Sequence, residues 1–230
     1  YGMRASEGAI DRITISGGSL TFTTIGGGRP AGICGSGIID LIAQMRLNSW
    51  IDISGRLDPD ASERIVYLPE EEEYVVVYAD QSESADGTIR YFSQTNIIQY
   101  LDTKAAAHTM IDCLLESSGF SADDITAFYT SGAFGTYADL ESAITVGIFP
   151  DLPRGRFHCL HNSSLAGAKE LLLNRNRLSD IRYLQQTVYC VQFASMPDFL
   201  IKMQAAKFIP HTDMRQYPTV EDALHNIHRR

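Results

Sequence analysis

Apolar and polar residues alternate near the start of the chain. Ile10, Ile13 and Ile15 punctuate one stretch, Leu20, Phe22 and Thr24 the next, and Gly17, Gly18 and Ser19 lie between them. Two alternating runs joined by a glycine turn predict a β-hairpin. The period then changes. Ile38, Ile39, Leu41, Ile42 and Met45 recur at helical spacing and predict a helix over residues 36–47. Residues 48–73 are polar and turn-rich, which predicts a surface excursion, with the acidic run 70–73 as a solvated edge. Residues 74–92 predict a second hairpin with Asp86 and Gly87 in its turn. The clearest helix follows, capped by Ser93 or Thr95 and ended by Gly119. Ile97, Ile98, Leu101, Ala105, Met110, Leu114 and Leu115 supply its apolar surface, so it reads as a central helix with little polar surface at its middle.

In the second half short apolar runs alternate with helical patterns. Residues 125–130 predict a short buried strand, 139–146 a helix, 156–160 a strand, and the segment after it a helix capped by Asn162 or Ser163. Residues 178–186 predict a helix and 187–195 a strand. Pro197 opens a last helix, and the polar tail after Pro210 reads as loosely held. This alternation predicts an α/β or α+β architecture. The domain division that follows is 1–210 and a tail over 211–230.

The chain has 230 residues, enough for one large domain or two small lobes. It is 44% hydrophobic and 20% charged, as in an ordinary soluble globular protein. A net charge of −9 and a pI near 5.1 argue against nucleic acid or an anionic membrane as the main partner. The four cysteines Cys34, Cys113, Cys159 and Cys190 are far apart in sequence, with neither iron–sulfur nor zinc spacing. Free thiols in a reducing cytoplasm fit them. No apolar run reaches the length of a membrane span, and the first residues read as the middle of something longer.

Three glycine-rich or polar turns precede helices. "GICGSG" (32–37) matches neither the dinucleotide fingerprint nor a Walker loop. A glycine loop opening a helix has backbone N–H groups that suit phosphate, yet a tight turn before a packed helix explains it equally, and Cys34 reads as a packed thiol. "TSGAFG" (130–135) is more specific: a strand ends in small residues with a hydroxyl, where open α/β sheets hold ligands. A plain tight turn remains the competing reading. "HNSS" (161–164) is explained by capping. His158 and His161 flank Cys159 but need not face the same way, and they are not assigned a metal. No catalytic triad or motif-supported carboxylate pair occurs, so no catalytic residue is assigned.

Four stretches occur in a fixed order: "GMRASEGAID" (2–11), "GICGSGIIDLIA" (32–43), "SGAFGTYADLESAITVGIFPD" (131–151) and "NSSLAGAKELLL" (162–173). Together they resemble the C-terminal domain of the reductive activators of corrinoid proteins, ATP-dependent enzymes of corrinoid methyltransferase and O-demethylase systems. The resemblance implies a ribonuclease H-like, actin-like ATPase fold of the acetate- and sugar-kinase, heat-shock and actin superfamily. It is expected as an incomplete copy, a mixed sheet with flanking helices.

The resemblance further implies that the parent returns Co(II) corrinoid proteins to Co(I), with a corrinoid protein as partner, ATP and Mg²⁺ as cofactors, and a [2Fe–2S] cluster only in an upstream domain. A homodimer is compatible with it. It places the adenosine loop at Ser131, Gly132, Ala133, Phe134 and Gly135, with Gly35, Ser36 and Gly37 as weaker nucleotide candidates near the interlobe cleft. The two Asp-x-Gly phosphate loops of the superfamily are absent from these residues, and His161-Asn162 stands where Gly-Asn is usual. These departures leave a second expectation, a degenerate scaffold that binds a protein partner without nucleotide.

Overall fold

The computed structural model describes residues 2–227 and contains three small sheets with helices packed around them. β1 (Ala9–Ser16) and β2 (Ser19–Thr24) form the expected hairpin, and Gly17 and Gly18 both take positive φ in its turn. β3 (Gly32–Ile33) pairs parallel to β1, giving the order β2-β1-β3. β3 reaches only Ala9 and Ile10, and α1 (Gly35–Leu47) covers the rest of that edge. Its Asp40 Oδ2 accepts from the Ile13 N–H at 3.4 Å and its Gln44 Oε1 from the Ile15 N–H at 3.0 Å. The helix thus satisfies strand donors that would otherwise be buried without partners.

The predicted surface excursion at 48–73 is overturned in part. Trp50, Ile51, Leu57 and Ile65 are all buried in the main core, and β4 (Ile65–Leu68) lies inside this stretch. A polar composition hid a few large apolar side chains that close the core under the loop. β4, β5 (Glu73–Ala79) and β6 (Arg90–Ser93) form an antiparallel meander. α2 (Gln94–Ser117) starts with a capping box: the Asn96 N–H donates to Ser93 Oγ, and Asn96 Oδ1 accepts from the Ser93 N–H, both at 3.2 Å. The inward face of α2 is more polar than its pattern suggested. Lys104, His108 and Thr109 are buried with Ile97, Leu101 and Ala105, whereas Ile98, Met110 and Leu114 are exposed.

β7 (Phe128–Thr130) and β8 (Phe157–Cys159) form a two-stranded parallel pair, Phe128 opposite Phe157. β7 is shorter than expected and none of its residues is buried. α3 (Gly132–Tyr137) and α4 (Leu140–Val146) follow β7, and α5 (Ser163–Leu173) follows β8. α6 (Leu178–Thr187) forms as predicted, but residues 188–195 contain no strand. α7 (Phe199–Ala205) begins two residues after Pro197. Neither α5 nor α6 has a buried residue, and Leu165, Leu172, Leu173, Tyr183 and Tyr189 are exposed.

The expected loose tail is packed instead. α8 (Pro218–Ile227) supplies Val220 and Leu224 to a second cluster with Tyr217 and Ile144, while Ile209, just before the tail, joins the main core. Residues 228–230 of that tail lie outside the described residues. Four apolar side chains spaced over residues 209–224 outweigh the polar composition around them.

Candidate functional site

β7 and β8 run parallel, so their carboxyl ends lie side by side and each feeds a helix. Ser131 follows β7 in extended conformation and caps α3, its side chain making no capping bond. Gly132 has φ +74° with open space where a Cβ would point, so backbone conformation is what requires glycine. Its N–H donates to the His161 carbonyl at 2.7 Å and joins the two strand-to-helix turns. His161 itself holds φ +50°, and Asn162 caps α5 by accepting from the Leu165 N–H at 2.9 Å.

Gly135 is required for a different reason. A Cβ there would lie 2.8 Å from Thr130 Cβ and 3.0 Å from its carbonyl carbon, so glycine lets α3 fold back onto the end of β7. Thr130 Oγ1 donates to the Gly135 carbonyl at 3.2 Å, and Thr136 Oγ1 to the Gly132 carbonyl at 2.8 Å. Phe134 is half exposed, edge-on to Phe149. Ser131, Gly132 and Ala133 are exposed as well. The result is a tightly braced turn presenting a hydroxyl, small residues and one ring face to solvent. The Gly132 amide is taken by the His161 carbonyl, and the remaining amides of this first turn, which have no partners within the helix, suit an anionic or polar ligand.

The second candidate stretch is built for packing. Gly35 is exposed, but Ser36 and Gly37 are buried. A Cβ on Gly37 would lie 2.4 Å from the Ile10 carbonyl oxygen. Cys34 is 3% exposed, and its Sγ donates to that same carbonyl at 3.3 Å. The two stretches are nonetheless linked: α1 contacts α3 and packs along α4. Arg12 of β1 bridges Asp40 of α1 at 3.7 Å and Asp139, the cap of α4, at 3.2 Å.

Cys159 at the end of β8 was not among the sequence candidates. It is exposed, 3.6 Å from Thr136 Oγ1, and a hydrogen bond from the His161 backbone, helped by Thr136, lowers its thiol pKa. Its place behind the turn depends on the β7–β8 pairing, which sequence spacing does not reveal. His158 stacks on Tyr129, turned away from that group. Two concavities lie elsewhere. One of about 950 Å³ is bordered by Arg46, Leu57, Tyr67 and Tyr74, and one of about 570 Å³ by His108, Asp112, Phe120 and Tyr217.

Among the described residues no three His, Cys, Asp or Glu side chains converge on one metal position. The described residues therefore do not fit a [2Fe–2S] cluster. No helix is long and apolar enough to cross a membrane among the described residues.

The C-terminal domain of RACo, the ASKHA domain, matches residues 1–221. This chain belongs to that family. The solved structure of a reductive activator for corrinoid, iron–sulfur protein superposes with a TM-score of 0.87 at 32% identity, covering 94% of this chain and 35% of that one. The corrinoid activation enzyme RamQ of Eubacterium limosum is 26% identical over 205 residues, 86% of this chain and 35% of its own length. The [Co(II) methylated amine-specific corrinoid protein] reductase of Methanosarcina barkeri is 38% identical over 68 residues, 30% of this chain and 12% of its own. The chain therefore has the actin-like ASKHA fold and spans about a third of the length of the first two relatives.

Proposed function

We propose that this ASKHA domain works in the reductive activation of corrinoid proteins, as part of a protein that returns Co(II) corrinoid to Co(I) at the expense of ATP. One electron passes from a low-potential donor through the parent's iron–sulfur domain to cobalt, and Co(II) becomes the Co(I) nucleophile of methyl transfer. The domain's part is to bind nucleotide and to present a surface to the corrinoid protein. The braced turn at the end of β7 carries the reading: Ser131, Gly132, Ala133, Phe134 and Gly135 sit outside the carboxyl end of a parallel strand pair. These five residues contact the adenosine side. Gly35, Ser36 and Gly37 are the weaker nucleotide candidates, and Gly37 seats α1 against β1. The exposed apolar residues of α5 and α6 supply surface for a protein partner.

The test uses the full-length protein with reductant, ATP and a Co(II) corrinoid protein. Co(I), or its methylated product, accumulates in the visible spectrum only when ATP is present. Failure to accumulate either form refutes the proposal. The scaffold reading rests on the absence of Asp-x-Gly loops from residues 1–230. Calorimetry with Mg-ATP and ADP separates the two, because stoichiometric binding excludes a nucleotide-free scaffold.

A further inference from the structure

Residues 206–217 form a strap that crosses α2 and the end of α4, and it is fastened by buried polar groups. Lys104 of α2 is 1% exposed. Its Nζ donates to the carbonyl oxygens of Ala206 at 2.7 Å, Phe208 at 2.9 Å, and Pro210. The end of α4 sits on the same point: a Cβ on Gly147 would lie 2.4 Å from the Pro210 carbonyl oxygen and 2.9 Å from Lys104 Nζ. One turn along α2, His108 is buried with Nδ1 3.1 Å from Tyr217 Oη, its ring centroid 5.1 Å from that of His211. His211 is buried too, and its Nδ1 accepts the backbone N–H of Asp213 at 3.0 Å.

The charges facing this cluster are few. α2 contributes Asp112, 3.3 Å from His108 Nε2. The strap contributes Asp213, which is paired with Arg215. α1 contributes Arg46, whose Nε donates to the Ile209 carbonyl at 3.4 Å. α4 contributes only the backbone of Gly147, which accepts from Tyr217 Oη at 3.4 Å. Three bases are thus buried together, facing two carboxylates of which one is already paired.

We infer that this cluster is an acid-operated latch, in which His211 holds the strap only while its Nδ1 is unprotonated. A neutral Nδ1 offers a lone pair to the Asp213 N–H; a protonated one sets N–H against N–H. The new charge also falls beside Lys104 and His108, where little water screens it. Burial and these two bases hold the His211 pKa below its ordinary 6.5. The open strap therefore binds the proton more tightly than the closed one. Closure is fully favoured above pH 6.5 and is lost as pH falls through the lowered pKa. The concavity bordered by His108, Asp112 and Tyr217 gives protons a route in. Opening frees the end of α4, which continues from α3.

Hydrogen exchange of the full-length protein, corrected for intrinsic rates, tests this without nucleotide or corrinoid, so its outcome is separate from that of the proposed function. Protection of residues 206–213 is expected to fall by up to tenfold for each pH unit between 6.5 and the lowered His211 pKa and to level off below it, while β1 and α1 stay protected. His211→Asn supplies an uncharged acceptor in place of Nδ1. It is expected to keep the strap protected at pH 7.5 and to flatten the acid response. Constant protection from pH 7.5 to 5, or an unchanged acid response in His211→Asn, overturns the latch. If that variant does not fold, an NMR titration of His211 in the unaltered protein decides. Its midpoint must lie below 6.5 and coincide with strap opening; a midpoint at or above 6.5 overturns the proposal.

Discussion

Gly37 of α1 lies directly against the carbonyl of Ile10 in β1, so close that a Cβ would fall 2.4 Å from the oxygen and 2.9 Å from Ile33 Cγ1. The glycine loop that suggests phosphate in the sequence is thus a packing device at this position. The neighbouring group is strand backbone, which cannot swing away as a side chain would. Gly37→Ala is expected to cost roughly 3 kcal/mol, at the upper end of overpacking substitutions. Urea denaturation checks this: the midpoint falls while the slope holds.

Gly147 and Gly132 separate two causes of glycine use. Both have positive φ, +85° and +74°, but only Gly147 has a crowded Cβ position. Gly132→Ala is expected to cost about 1 kcal/mol from backbone conformation alone. Gly147→Ala adds a clash with the Pro210 carbonyl and should cost at least twice as much. Thermal melts of the two variants rank them, and an equal loss would refute the steric part.

Local patterns carried the first hairpin, α1 and the caps Ser93 and Asn162, because each rests on neighbours in the chain. The errors fall where distant residues decide. Trp50 and Leu57 look like loop residues until the core closes over them. Lys104 and His108 sit on the inner face of α2 only because the strap brings carbonyls and His211 to meet them. The tail after Pro210 is ordered by Tyr217, Val220 and Leu224 reaching Ile144, a contact between segments about 75 residues apart. At the candidate site the turn at 131–135 was readable as strand, small residues and helix. Its brace from Gly132 to His161, and Cys159 behind it, depend on the β7–β8 pairing.

Lys104→Met removes the donor that the carbonyls of Ala206, Phe208 and Pro210 share, while keeping a stem of similar length. Buried carbonyls left without a donor are costly, and the expected loss is roughly 3 kcal/mol. The loss is local before it is global, so exchange at residues 206–210 should rise more than exchange in β1. A variant as stable as the parent protein would show that the three carbonyls find other donors.

Ser131 offers a clean probe of nucleotide binding. Its side chain is exposed and makes no capping bond, so Ser131→Ala should leave the melting temperature unchanged. If the hydroxyl meets the adenosine side, affinity for ATP in the full-length protein falls about tenfold, the value of one good hydrogen bond. Phe134→Ala should weaken binding further by removing a half-exposed ring face whose edge meets Phe149. Unchanged affinity in both variants would move the site away from this turn.

Asp40 gives a pH dependence with a definite sign. Burial raises its pKa above 3.8, against the opposing pull of Ser142, Arg12 and the Ile13 N–H. The folded state therefore holds this proton more tightly than the unfolded chain. Its contribution favours folding at low pH and is lost as pH rises from about 4 through the raised pKa. Asp40→Asn has no such proton to lose and keeps an acceptor for the Ile13 N–H. The stability of the unaltered protein, measured against Asp40→Asn, should decline across that range and level off above it. A difference that grows with pH instead would mean that attraction to Arg12 outweighs burial, and that the bridge from Asp40 through Arg12 to Asp139 is the stronger force on α4.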